Sequence, residues 1–231
     1  MLWDVDGTLV HAGSAGRDVF EAAVGHVLGQ ALPADLLTQV VMSGKTDPQI
    51  ATEVLVLAGV ASADVGHHLP PVLARLEAEV AAVEARIRAE GRVLPGVEAV
   101  LRRLAGDPGV VQTVLTGNLE ANATLKLAAF GLERWLDMRV GAFGSDHADR
   151  RALVPIALER VAERRGRAFP PECSWVIGDT PRDLDCARAV GARCLLVGTG
   201  RFRAADLEGL GADAVLDDLT ETDRVVSLLA S

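Results

Sequence analysis

The sequence predicts an α/β protein, a Rossmann-like parallel sheet with helices on both faces, interrupted by an inserted all-helical segment. Three observations carry that expectation. From about residue 94 onward, short apolar runs alternate with stretches of helical period, the mark of strand–helix units joined by right-handed crossovers. Across residues 17–90 no strand pattern interrupts the helical one. The apolar runs also end in acidic, hydroxyl or glycine residues, the kind of group that open α/β sheets gather at the carboxyl ends of their strands.

The chain starts on an apolar, strand-like run, Met1, Leu2, Trp3 and Val5, with Asp4 and Asp6 placed where it meets Gly7-Thr8. Two carboxylates two residues apart share one side of an extended chain. The glycine lets the second swing round, so one acid is free to attack while the other carries a proton. Alone, Asp-x-Asp-Gly reads equally well as a polar turn. Only three residues precede Asp4, whereas a strand usually has about five or six. We therefore expect either an unusually short first strand or a native chain that begins a few residues earlier.

Gly13-Ser14-Ala15-Gly16 reads as a hinge. Helices are expected over residues 18–28 and 36–42, then after a loop at 43–48, where Pro48 suits a first helical turn and Asp47 an N-cap. Over residues 70–90, Leu73, Leu76, Val80, Val83 and Ile87 recur at alternating spacings of three and four, an amphipathic helix with Glu77, Glu84, Arg86 and Arg88 outward. Leu94-Pro95-Gly96 opens a helix reaching residue 104, and Asp107-Pro108-Gly109 turns the chain. Residues 110–115 form a nearly all-apolar run, as in a strand covered on both faces. Helices at 119–130, 151–165 and 183–190 then alternate with strands at 138–143, 174–177 and 194–197. The expected division is a Rossmann-like core at 1–15 and 92–231 and a helical cap at 16–91.

Composition narrows the function. With 231 residues, 49% of them hydrophobic, the chain has enough apolar material for a sizeable core; with 3% aromatics and no tyrosine that core is aliphatic. A net charge of −9 disfavours nucleic acid or an anionic membrane as partner. No apolar run approaches the roughly 18 residues of a membrane span, and Asp4 and Asp6 interrupt the first one, so it does not read as a signal peptide. Cys173, Cys186 and Cys194 include no Cys-x-x-Cys pair, which fits reduced thiols in the cytoplasm better than disulfides or zinc.

Three apolar runs thus end in groups able to do chemistry: Asp4 and Asp6; Thr116-Gly117-Asn118; and Gly178-Asp179, with Asp183 one helical turn further on. In a parallel sheet those ends share one edge. Several acids gathered there repel one another unless a cation sits among them. A hard, oxygen-loving ion such as magnesium is the natural occupant, and with no histidine adjacent in sequence zinc is disfavoured.

The ordered set Asp-x-Asp-Gly-Thr, strand-Thr-Gly-Asn and Gly-Asp-Thr-Pro-x-Asp resembles the haloacid dehalogenase superfamily, specifically its phosphoglycolate phosphatase-like members with a helical cap after the first strand. The resemblance implies a Mg2+-dependent hydrolase of a small phosphate monoester, phosphoglycolate-like or a sugar phosphate. It implies Asp4 as the nucleophile that becomes an aspartyl-phosphate and Asp6 as the general acid and base with its carbonyl on the metal. Thr116 and the Gly117 amide would hold phosphate. Asp179 would bind the metal, and Asp183 would complete the metal set by orienting a ligand. The superfamily also places a lysine between the Thr and Gly-Asp motifs. The one lysine in that interval, Lys126, lies too early and reads as a helix-surface residue, so Arg150 or Arg151 is expected to substitute. In the cap, Lys45 is expected to contact substrate. Gly44-Lys45-Thr46 is no P-loop, because position 39 is Gln rather than Gly. His67, His68 and His147 read as surface residues. The alternatives are a sugar-phosphate mutase and a non-catalytic phosphate-binding protein on the same fold. The expected partner is a small phosphorylated metabolite, and the expected state a monomer or homodimer.

Overall fold

The structure, a computed structural model, describes residues 1–230. In chain order it contains β1 (Leu2–Trp3), β2 (Val10–His11), α1 (Ala15–Leu28), α2 (Asp47–Leu57), α3 (Val65–Ala82), α4 (Glu84–Glu90), β3 (Arg92–Val93) and α5 (Val97–Ala105). There follow β4 (Thr113–Val114), α6 (Glu120–Ala129), α7 (Leu153–Arg165), β5 (Trp175–Gly178), α8 (Pro181–Val190), β6 (Arg193–Val197), α9 (Ala204–Leu207), β7 (Ala214–Leu216) and α10 (Thr222–Leu229).

Five strands form one parallel sheet in the order β4-β1-β5-β6-β7, with Trp3 level with Val114 on one side and Ile177 on the other. The chain steps from β1 out to β4 and then returns to β5 on the opposite flank. The switch point therefore falls at β1, and the crevice it creates lies at the carboxyl ends of β4, β1 and β5.

Side chains alternate along each strand, so the sheet buries two faces. Trp3, Trp175, Ile177 and Leu195 pack on one face with Leu101 and Leu104 of α5. Leu2, Val176 and Leu196 pack on the other with Leu153 of α7 and Leu184 of α8. In α5 the buried residues Val97, Val100, Leu101 and Leu104 recur at helical spacing, the stripe a sheet-covering helix needs. A third cluster, including Val24, Val54, Leu76 and Ile87, lies among α1, α2, α3 and α4. An antiparallel pair, Val10 with Val93 and His11 with Arg92, carries the chain out to these helices and back. It is too short to show in the sequence pattern.

Four local expectations are corrected. Residues 36–42 hold only a 3-10 turn, Leu36–Gln39, with i to i+3 bonds from Thr38 N to Asp35 O and Val40 N to Leu37 O; so short a run does not repay helix nucleation. The helix expected from residue 70 begins at Val65, so that Pro70 and Pro71 lie inside it and His67 and His68 are helical, and it breaks at Val83. No strand forms at 138–143. Thr113 Oγ1 and Gln112 O bond Asp137, and a 3-10 turn at Met138–Val140 follows, leaving a single bridge between Leu115 and Ala142. The N-cap of α2 is Thr46, which closes a capping box with Gln49. Asp47 is the first helical residue and has another task.

Leu101 is fully buried at the centre of the sheet cluster. Leu101→Ala is expected to cost about 2–5 kcal/mol in urea denaturation; a loss below about 1 kcal/mol would show that the site collapses around the deletion.

Candidate active site

At the end of β1 the Asp4 amide donates to Ile177 O at 2.8 Å, and the chain turns at once, with Leu9 N and Val10 N both donating to Val5 O. The turn depends on Gly7, whose φ is +85°. A Cβ there would lie 2.5 Å from Asp179 Oδ2, and one on Gly200 would lie 1.8 Å from the same oxygen. Asp179 therefore occupies a slot between two glycines, a close approach that side chains would bar. Thr8 Oγ1 donates to Asp179 Oδ1 at 3.3 Å, and Thr199 Oγ1 donates to Gly7 O at 2.6 Å, tying the loop after β6 to the turn.

Asp4, Asp179 and Asp183 are all buried, and one carboxylate oxygen from each lies within 4.8 Å of the others. Among them enters Arg150, itself 5% exposed. Its Nη2 stands 2.9 Å from Asp4 Oδ1 and 2.6 Å from Asp183 Oδ1. The other oxygen of Asp183 accepts from the Thr180 amide at 3.0 Å and the Thr180 hydroxyl at 2.7 Å. Arg151, the alternative, is exposed and pairs with Asp149. Burial pushes the Asp4 carboxyl up to about 6, with Arg150 opposing and Asp183 adding to the rise. Burial, then the charges of Asp4 and Asp183, push Asp179 up to about 8. Three carboxylates thus face one guanidinium, and Asp179 has no cation of its own among the described residues' ion pairs. An all-oxygen donor set of three carboxyls with a single guanidinium among them fits a hard divalent cation.

Asp6, half-buried, also lines the cavity but takes different partners. Its Oδ2 accepts from Lys126 Nζ at 2.6 Å and Asn118 Nδ2 at 2.8 Å, and Lys126 also donates to Asn118 Oδ1 at 2.7 Å. Burial raises the Asp6 carboxyl, but the Lys126 charge and these bonds outweigh it and hold it below its usual value. Lys126 is therefore no helix-surface residue. The signal was present: Leu119, Asn122 and Lys126 follow one another at spacings of three and four, one face of α6, directly after the Thr-Gly-Asn motif. Thr116 is fully buried, and its hydroxyl accepts from Asn118 Nδ2 at 2.8 Å.

The loop before α2 covers this crevice. The Asp47 amide donates to Gly117 O at 2.7 Å, and a Cβ on Gly117 would come within 2.2 Å of Lys45 O. Asp47 Oδ2 accepts from the Leu119 amide at 2.8 Å and from Asn122 Nδ2 at 3.2 Å, while Thr46 Oγ1 donates to Ala148 O at 2.8 Å. A cavity of about 430 Å3 results. The expected residues Asp4, Asp6, Thr116, Gly117, Arg150 and Asp179 line it, as does Lys45, which is ion-paired with Glu53. Asp183 stands behind Arg150, outside the lining.

The chain matches the family of haloacid dehalogenase-like hydrolases over residues 1–188. A search of curated proteins found no match. Among solved structures, CbbY from Rhodobacter sphaeroides in complex with phosphate is similar at 23% identity and TM-score 0.66, over 95% of this chain and 94% of that one. A mutant of the same CbbY in complex with xylulose-(1,5)bisphosphate is similar at 22% identity and TM-score 0.64, over 95% and 94%. A predicted phosphoglycolate phosphatase from Haemophilus somnus is similar at 17% identity and TM-score 0.65, over 96% and 95%. At these identities the likeness shows a shared fold.

Removing the guanidinium strands buried carboxylates without their partner. Arg150→Met is expected to destabilise the metal-free protein by about 3–5 kcal/mol in urea denaturation. A change below about 1 kcal/mol would deny the buried pairing.

Proposed function

Because the chain belongs to the haloacid dehalogenase-like hydrolase family, we propose that it is a magnesium-dependent phosphatase acting on a small phosphate monoester through an aspartyl-phosphate on Asp4. The observation that carries the reading is the buried meeting of Asp4, Asp179 and Asp183 on Arg150, with Asp6 held beside it by Lys126. The names of structurally similar proteins, a phosphoglycolate phosphatase and a phosphate-bound CbbY, point the same way.

In this reading Asp4, Asp179 and the Asp6 carbonyl would hold the metal. When bound, magnesium would supply positive charge that offsets that of the phosphoryl group. Thr116, the Gly117 amide and Arg150 orient the phosphoryl group, Arg150 in the place of the superfamily's lysine as a permanently charged fork. An Asp4 oxygen attacks phosphorus and the bond to the ester oxygen breaks, while protonated Asp6 gives that oxygen its proton. The Asp6 carboxylate then takes a proton from water, whose oxygen attacks the same phosphorus. Inorganic phosphate leaves and Asp4 is restored. Asp183, with both oxygens engaged by Arg150 and Thr180, acts by positioning Arg150. Lys126 orients Asp6 and favours its ionised form. Residues 1–15 and 92–231 serve as the catalytic core and 16–91 as a cap whose loop, with Lys45, screens substrates. The free thiols Cys173, Cys186 and Cys194 fit a cytoplasmic setting.

Asp4→Asn is expected to abolish magnesium-dependent cleavage of p-nitrophenyl phosphate while leaving the circular dichroism spectrum unchanged; undiminished turnover would refute the assigned nucleophile. Lys126→Met removes the charge that lowers Asp6. The rate-limb that needs ionised Asp6 should therefore move to higher pH. A limb that stays in place would separate Lys126 from the acid–base step.

A further inference from the structure

Asp47 borders two cavities, the one of about 430 Å3 described above and a neighbouring one of about 240 Å3, and Asp6, Asn118 and Lys126 border both as well. The residue belongs to the helical insert, yet its carboxylate, 6% exposed, accepts its two hydrogen bonds from the core. The loop that carries it is held separately, by the Asp47 amide on Gly117 O and by Thr46 Oγ1 on Ala148 O. Docking the loop therefore does not by itself require the carboxylate.

What the carboxylate does is set by the helix it meets. The N-cap of α6 is Leu119, a residue type with no side-chain acceptor for the amides of a first helical turn and among the poorest caps. The Leu119 amide donates instead to Asp47 Oδ2 at 2.8 Å, from 72 residues away, and the Glu120 amide to Ser145 Oγ at 2.9 Å. Asn122 occupies the third helical position, where a capping box places the side chain that accepts from the N-cap amide. Its Nδ2 is turned to Asp47 and donates to the same oxygen at 3.2 Å. One oxygen from the insert thus ties the N-cap to the third position, and its charge sits at the positive end of the helix dipole. Two donors flank this anchor. Asn118 directly precedes Leu119, and Lys126 lies one turn beyond Asn122; both donate to Asp6 Oδ2, at 2.8 and 2.6 Å. Asn118 donates to the Thr116 hydroxyl as well.

We propose that Asp47 is a positioning residue for the acid–base step: supplied by the insert, it caps core helix α6 and so holds Asn118 and Lys126 in place on Asp6. The proposal rests on the phosphatase reading and adds to it a residue that acts through α6 rather than on the substrate.

The test measures kcat of the full chain on p-nitrophenyl phosphate with magnesium, for Asp47→Ala, Asp47→Asn, Lys126→Met and the double variant Asp47→Ala/Lys126→Met. Asp47→Ala should lower kcat by about 10–100-fold, the scale of a small misplacement of a catalytic group. Asp47→Asn puts a carboxamide oxygen where Oδ2 stands and should stay within about threefold of the unaltered chain. With Lys126 already replaced, Asp47→Ala should cost only about threefold more, because the group it positions is gone. Amide hydrogen exchange over residues 119–123 should quicken about fivefold or more in Asp47→Ala and not in Asp47→Asn. Should Asp47→Ala fail to fold by circular dichroism, Asn122→Ala removes one of the two donors and takes its place, with a loss of kcat that Lys126→Met again absorbs. An unchanged kcat, losses that multiply in the double variant, an Asn variant as slow as the Ala variant, or undisturbed exchange would each overturn the proposal and leave the phosphatase reading standing. If the unaltered chain does not cleave p-nitrophenyl phosphate, the phosphatase reading itself falls and takes the proposal with it.

Discussion

The guanidinium of Arg150, held between Asp4 and Asp183, is the contact on which the rest of the arrangement depends. A parallel sheet that brings acids from β1 and from the turn after β5 to one buried edge creates a repulsion that hydrophobic packing does not cancel. Arg150 relieves it from a third direction. It sits in a 3-10 turn just before α7, where the Asp149 side chain accepts from the Arg151 amide and sets the turn. A lysine offers a point charge; the flat fork of arginine can address two carboxylates at once without losing its proton. One side chain therefore serves as clamp for the fold and as counter-charge for the site.

Lys126 makes the complementary pairing. Asp4 and Asp6 lie two residues apart, yet their surroundings pull their carboxyls in opposite directions, burial raising Asp4 and Lys126 lowering Asp6. The split follows from topology. The Asp4 side of the turn faces β5 and the turn preceding α7, while the Asp6 side faces α6. Asp179 sits between Gly7 and Gly200 with the Thr8 hydroxyl as donor and no ion-pair partner among the described residues, so burial and the neighbouring carboxylates disfavour its charged form until a cation enters.

How much of this could be read from the sequence depends on how local each determinant is. The alternation of apolar runs announced the parallel sheet, and the acids at the ends of β1 and β5 announced the edge where they meet, because strand order changes neighbours but not which end is which. Arg150 was narrowed to a pair; only burial separates it from Arg151, two neighbouring residues of identical type. Asp47 was misassigned as a cap of its own helix, since its partners, Leu119 and Asn122, lie more than 70 residues away. The β2–β3 pair and the elements after β6 carry too few residues to show a period. Lys126 was discounted on distance from its expected motif, although its spacing from Asn122 already put it on the face that α6 turns to the acids.

That face of α6 joins the helical insert to the chemistry. Leu119 and Asn122 hold the Asp47 carboxylate, and Lys126, one turn on, holds Asp6. Gly117, just before the helix, accepts from the Asp47 amide, and its missing side chain leaves room for the Lys45 carbonyl beside it. The loop over the crevice and the carboxylate beneath it are thus fastened to a single rigid element. Lifting the loop would break its bonds to the segment that also positions Lys126 and Asn118, so the loop and the Asp6 carboxylate are linked through α6. The same helix lends Asn122 and Lys126 to the cavity walled by α1, α3 and α4. Any change in how those helices pack is therefore felt at Lys126 and at the Asp6 carboxylate it holds, which ties the two cavities to one structural joint.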